Sequence, residues 1–198
     1  MLLRVPLFLA FPLLTHLAVV LQRPWLQCAA VVCAYAAFFY APLRAGRVPA
    51  WLGLAAFAGA DALLVRLGHG AYVLYLPSML VPALVLSAFA PTLLPGRVPL
   101  ITRMAAALDG PLSPEQARYT RGVTWLWALT LGLILLLTVV LLLFWSPRAW
   151  SVFANFISYA VLAALFAGEY GYRRLRFPER TPLNFRAFLR SVSSYRPH

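Results

Sequence analysis

Lysine is absent from this 198-residue sequence, and there are only five acids: Asp61, Asp109, Glu115, Glu169 and Glu179. All 17 basic residues behind the formal charge of +12 are therefore arginine. Charged residues make up only 11% of the chain against 63% hydrophobic, more apolar surface than a soluble domain of this size can hide. Lipid is the expected solvent. Histidine is nearly as scarce, at His16, His69 and the C-terminal His198. With no HExxH, no Gly-rich phosphate loop and no GxSxG, neither a metal enzyme nor a familiar hydrolase is expected, and no cofactor is implied. Cys28 and Cys33 stand five apart in an apolar run, which fits neither a redox CxxC pair nor metal-ligand spacing. They read as small core residues. Gln27 is too large for the position before the cysteine of a lipoprotein cleavage site, and no removable signal peptide is expected.

What is present is a series of apolar stretches near 5–21, 25–42, 50–67, 71–94, 122–146 and 149–171. Each approaches the roughly 20 residues that a helix needs to cross a bilayer. The expected fold is all-α: a polytopic transmembrane bundle of about six spans over residues 1–172, followed by an arginine-rich cytoplasmic tail at 173–198. Pro24 and Pro49 mark helix starts, where a missing N–H costs nothing. Pro77 and Pro82 deprive the carbonyls of Val73 and Ser78 of helical partners and predict a kink in the fourth span. Ala55, Gly59 and Ala60 offer a side of the third span that permits close helix contact.

Arginine distribution sets the expected orientation. With the N-terminus inside, Arg4, Arg44, Arg47, Arg97, Arg103, Arg118, Arg121 and seven tail arginines are cytoplasmic, leaving only Arg23, Arg66 and Arg148 outside. This asymmetry fits six spans with both termini in the cytoplasm of a bacterial inner membrane. The arginines flank apolar segments instead of forming a soluble basic surface, so membrane lipid or an acidic protein is the expected counter-charge, and nucleic acid is not. Oligomeric state is not encoded in any pattern here.

Two short amphipathic helices are expected on the inner leaflet. Pro99 opens the first, with Ile101, Met104, Ala105 and Leu108 on one face and Asp109-Gly110-Pro111 as its stop. The second follows Pro182, with Phe185, Phe188, Leu189 and Val192 at the same spacing.

Two polar sets are candidate sites. In Ser113-Pro114-Glu115-Gln116 the spacing gives a capping box, so a helix should begin ahead of the fifth span and project Arg118, Tyr119 and Arg121 at headgroup level. Glu169, near the end of the sixth span, should pair with Arg173 one turn on, or with Arg118 or Arg121; Arg174 completes this inner set. It reads as a clamp between helix ends or as a phosphate or carboxylate site built on arginine. The outer set is His16, Asp61 and Asn155, where Asp61 paired with His16 would make either packing glue or a general base and proton relay. No residue is assigned a catalytic role.

The strings Pro99-Leu100-Ile101-Thr102-Arg103, Ala117-Arg118-Tyr119-Thr120-Arg121-Gly122-Val123-Thr124-Trp125, Trp150-Ser151-Val152-Phe153-Ala154-Asn155 and Ala167-Gly168-Glu169-Tyr170 carry a family likeness. Over residues 97–175 the chain resembles small bacterial inner-membrane proteins encoded among fatty-acid-synthase-like genes for aryl polyene pigments of the xanthomonadin type. The resemblance implies a pathway and no reaction. Three functions compete on this basis: a non-enzymatic membrane component that docks acidic acyl-carrier or synthase proteins, a proton-coupled transporter or flippase of a lipid-like product, and a membrane-embedded acyl transferase.

Overall fold

The computed structural model describes residues 4–177. The amphipathic segment expected after Pro182, and Arg180, Arg186, Arg190 and Arg196, lie outside the described residues. Within them the chain is all-helical and contains no strand.

Helices α1 (Arg4–Leu21) and α2 (Pro24–Phe38) form a tight hairpin. Its turn needs a left-handed residue, supplied by Gln22 at φ 52, and an extended Arg23 ahead of Pro24. The Gln22 amide donates to the Val19 carbonyl at 3.2 Å, capping an acceptor that the helix end leaves open. The second apolar stretch was expected to run to residue 42, but α2 stops at Phe38 and a separate short helix, α3 (Tyr40–Arg44), follows. Pro42 accounts for the break: it has no N–H to give the Phe38 carbonyl four residues back.

Helices α4 (Val48–Arg66) and α5 (Ala71–Phe89) come next, and a 3₁₀ turn at Ala90–Leu93 prolongs α5. α5 runs unbroken through Pro77 and Pro82, with the Ser78 hydroxyl donating to the Tyr75 carbonyl at 2.7 Å. The short α6 (Leu100–Asp109) stops at Gly110, whose φ of 78 suits glycine. α7 (Pro114–Phe144) and α8 (Pro147–Arg176) complete the chain, α8 containing one π turn at Phe153–Ile157.

Four helices are long and apolar enough to cross a membrane: Val48–Arg66, Ala71–Leu93, Pro114–Phe144 and Pro147–Arg176. At most 28% of any of their apolar windows is buried inside the protein. Side chains such as Leu84, Leu143 and Phe144 instead face outward, an arrangement that water would not sustain. This is the profile of a membrane protein. The hairpin helices are shorter: the apolar stretches Pro6–Leu21 and Pro24–Phe38 fall below span length. At 1.5 Å per residue α2 is roughly 22 Å long against a hydrocarbon core of about 30 Å.

The chain divides into two compact units, one taking residues up to Ala83 together with Leu133–Tyr159, the other Leu84–Gly132 and residues from Ala160 onward. In the first, Trp150 is fully buried among Ala18, Val19, Leu26, Ala30, Leu74 and Ala154, with Tyr75 edge-on at 4.5 Å between ring centroids. The second is centred on Val123, Trp127 and Leu131 of α7, against which Ile101, Phe89, Leu162 and Leu165 pack. Trp127 meets Phe166 edge-on at 4.5 Å. α6 therefore docks on α7 through Ile101, with Thr102 and Thr120 sharing a 2.8 Å hydroxyl bond. The sequence pattern places that helix on lipid, and in the structure part of its apolar face is spent on protein.

Candidate functional site

In the second unit, the capping box forms as its spacing requires. The Gln116 side chain accepts from the Ser113 N–H at 3.0 Å, and the Ser113 hydroxyl accepts from the Gln116 N–H at 3.3 Å. With its start fixed, α7 presents Tyr119 toward α8, where the phenol donates to the Glu169 carboxylate at 3.3 Å. Arg173, one turn on, lies 3.5 Å from the same oxygen. Tyr119 also stacks on Tyr172, with centroids 5.5 Å apart, and meets Phe177 at 5.3 Å. A second ion pair joins Arg176 to Glu115, which the sequence did not single out. The inner set is thus split. Glu169, Tyr119 and Arg173 meet, whereas Arg118, Arg121 and Arg174 are exposed and none of them pairs with a described carboxylate.

That division has a chemical meaning. The two described glutamates of this unit neutralise Arg173, one turn along the same helix, and Arg176, across from the start of α7 to the end of α8. Arg97, Arg103, Arg118, Arg121 and Arg174 remain as exposed guanidinium groups without a described acidic partner. Each offers a planar fork that suits carboxylate or phosphate.

The outer set separates differently, and all of it lies in the first unit. His16 Nδ1 is 3.1 Å from the Ser151 hydroxyl, and Asn155 donates to the Ser151 carbonyl at 2.9 Å and to its hydroxyl at 3.2 Å. Asn155 sits within the π turn, a local widening that often accompanies function. Ser151 is fully buried, which leaves it no path to a substrate and favours helix packing. Asp61 has a different partner: its Oδ1 accepts from Gln27 Nε2 at 2.9 Å, and that amide also donates to the Gly70 carbonyl at 2.6 Å. The expected pairing of His16 with Asp61 is replaced by these two networks, so no His–Asp relay is built.

Sequence reasoning missed Gln27 and Ser151, although each is a polar residue inside an apolar run. Three buried polar atoms have no hydrogen-bond partner among the described residues: Thr15 Oγ1, Asp61 Oδ2 and Trp150 Nε1. All three belong to the first unit, which is the less completely satisfied of the two. Among the described residues no group of three His, Cys, Asp or Glu side chains could hold a metal.

No protein-family model, curated protein or solved structure matches the chain.

Proposed function

We propose that the chain is a non-enzymatic inner-membrane component of an acyl or aryl polyene lipid pathway, docking acidic carrier or synthase proteins on an arginine-rich cytoplasmic face. The observation that carries this reading is the set of five exposed arginines in the second unit without a described carboxylate partner. Guanidinium groups left open at a membrane surface set up a positive field that attracts acidic proteins and speeds encounter. The resemblance over residues 97–175 supplies the pathway, since acyl-carrier proteins are generally acidic.

Orientation rests on the six-span count. An α1–α2 hairpin returns the chain to the side it started from, so Arg4, Arg44 and Arg47 share a side whatever depth the hairpin reaches. Its tip, at Gln22, Arg23 and Pro24, shares a cavity wall with Gly68, Gly70 and Pro147 from the ends of the long helices. That common level supports a hairpin that crosses the membrane, with Arg23, Arg66 and Arg148 on the outer side.

The geometry also selects the test. Arg173 and Arg176 are engaged in ion pairs, so the informative variant is Arg118→Gln, Arg121→Gln and Arg174→Gln together. Detergent pull-down of the wild-type protein is expected to recover acidic carrier or synthase proteins, and the triple variant should recover at least about tenfold less, the loss of some 1.4 kcal/mol of binding. Recovery should also fall steeply with added salt. Undiminished, salt-insensitive recovery by the triple variant would refute docking on this face.

A further inference from the structure

A cavity of about 390 Å³ opens in the first unit. That volume lies within the range of small-molecule sites. Its walls divide by chemistry. Arg23 and the amides of Gln22 and Gln27 supply the polar part, and Leu74, Val65 and the Tyr75 ring supply the apolar part. None of the described residues lining it is acidic. Arg23 is exposed, and no described carboxylate pairs with it.

Two further features make the wall suited to an anion. The first residues of α2, α5 and α8, namely Pro24, Ala71 and Pro147, all line the cavity together with Arg23, so three helices turn their positive dipole ends to it, although Pro24 and Pro147 have no N–H to donate. Gln27, 7% exposed, is locked by its bonds to Asp61 and Gly70. With its amide nitrogen donating to both the Asp61 carboxylate and the Gly70 carbonyl, Gln27 lines the cavity as a neutral group and keeps Asp61 paired. The remaining outer arginines, Arg66 and Arg148, are exposed and directly follow the lining residues Val65 and Pro147.

We propose that this cavity binds the phosphate headgroup of an amphiphile, with Arg23 as the cationic anchor and the Leu74 and Tyr75 wall beneath the start of the acyl chain. A free phosphate ion shares the headgroup chemistry but would leave the apolar wall unused. The site is independent of the docking face, because every residue forming it belongs to the first unit.

The test is calorimetric titration of the full chain in a neutral detergent with a short-chain lysophosphatidate and, separately, with inorganic phosphate. Wild-type protein is expected to bind lysophosphatidate at one saturable site, and inorganic phosphate at least about tenfold more weakly. Arg23→Gln should weaken lysophosphatidate binding about tenfold, the loss of one bidentate guanidinium–phosphate contact. Ala71→Phe, which narrows the cavity at an exposed position and leaves Arg23 in place, should weaken it comparably. Arg44→Gln, at an exposed arginine that does not line the cavity, should bind as wild type does. Equal loss in Arg23→Gln and Arg44→Gln would reduce the effect to general charge and overturn the proposal. Unchanged binding by Ala71→Phe, or inorganic phosphate binding as tightly as the lipid, would overturn it as well.

Discussion

Trp150→Ala is expected to lower the unfolding free energy of the detergent-solubilised protein by about 3 kcal/mol, a core truncation of the largest kind. Trp150 is fully buried in the first unit, against Tyr75 and the small residues Ala18, Ala30 and Ala154. In lipid or detergent, unfolding such a site does not expose the ring to water, so the loss comes chiefly from dispersion contacts and the empty volume. A second variant isolates that cause. Trp150 Nε1 is buried without a hydrogen-bond partner among the described residues, and Trp150→Phe removes that donor while keeping much of the ring. Its cost should stay under about 1 kcal/mol, because phenylalanine keeps most of the ring's dispersion contacts and leaves no N–H unpaired. Trp125→Ala, at a side chain 46% exposed, should shift stability by less than about 0.5 kcal/mol. Denaturant titrations of helical circular dichroism check all three. Equal effects of Trp150→Ala and Trp125→Ala would mean that the first unit has no tightly packed centre.

Gly70→Leu should be nearly as damaging, at about 2–3 kcal/mol, through overpacking and a broken buried bond. Even a Cβ at this position would lie 2.6 Å from Val65 Cγ2 and 2.7 Å from Gln27 Nε2, so the Gln27 amide must move. Moving it takes from Asp61, which is 2% exposed, the amide donor that Gln27 supplies. A carboxyl group stripped of its donor in an apolar interior is costly whichever form it takes. Gly59→Ala supplies the contrast. Nothing lies within 4 Å of a Cβ placed there, and in mid-helix alanine should add up to about 1 kcal/mol of stability. The same titrations compare the pair, and a harmless Gly70→Leu would show that the Gln27–Asp61 bond is dispensable.

Local features were the ones legible in the sequence. The Ser113–Gln116 box and the Glu169–Arg173 pair each depend on a spacing of three or four residues, which a helix turns directly into proximity. The four long helices were legible because lipid imposes a minimum apolar length. Pro42 was equally local, but the second apolar stretch runs on to residue 42, and the break that its missing N–H makes after Phe38 went unused. The pairing of Gln27 with Asp61, 34 residues apart, and of His16 with Ser151, 135 residues apart, was of another kind. Helices apolar on every side carry no stripe to fix their rotation about the axis, so the sequence does not say which polar residue faces which neighbour. For the same reason α6 could be recognised as amphipathic without revealing that Ile101 seats on α7 instead of in lipid. At the inner site, the arginines were visible in the sequence, but the pairing that leaves Arg118, Arg121 and Arg174 open required the helix ends to be placed.

Helix α8 provides the most direct test of a membrane bundle whose arginines gather in the cytoplasm. Its 30 residues span roughly 45 Å at 1.5 Å per residue, enough to place its two ends on opposite sides. With Cys28 and Cys33 changed to alanine, single cysteines at Arg148 and at Leu175, both exposed, can be challenged with a membrane-impermeant maleimide in intact cells. Arg148→Cys is predicted to react at once, and Leu175→Cys only after the membrane is breached. Reaction of Leu175→Cys in intact cells, with Arg148→Cys protected, would contradict the account.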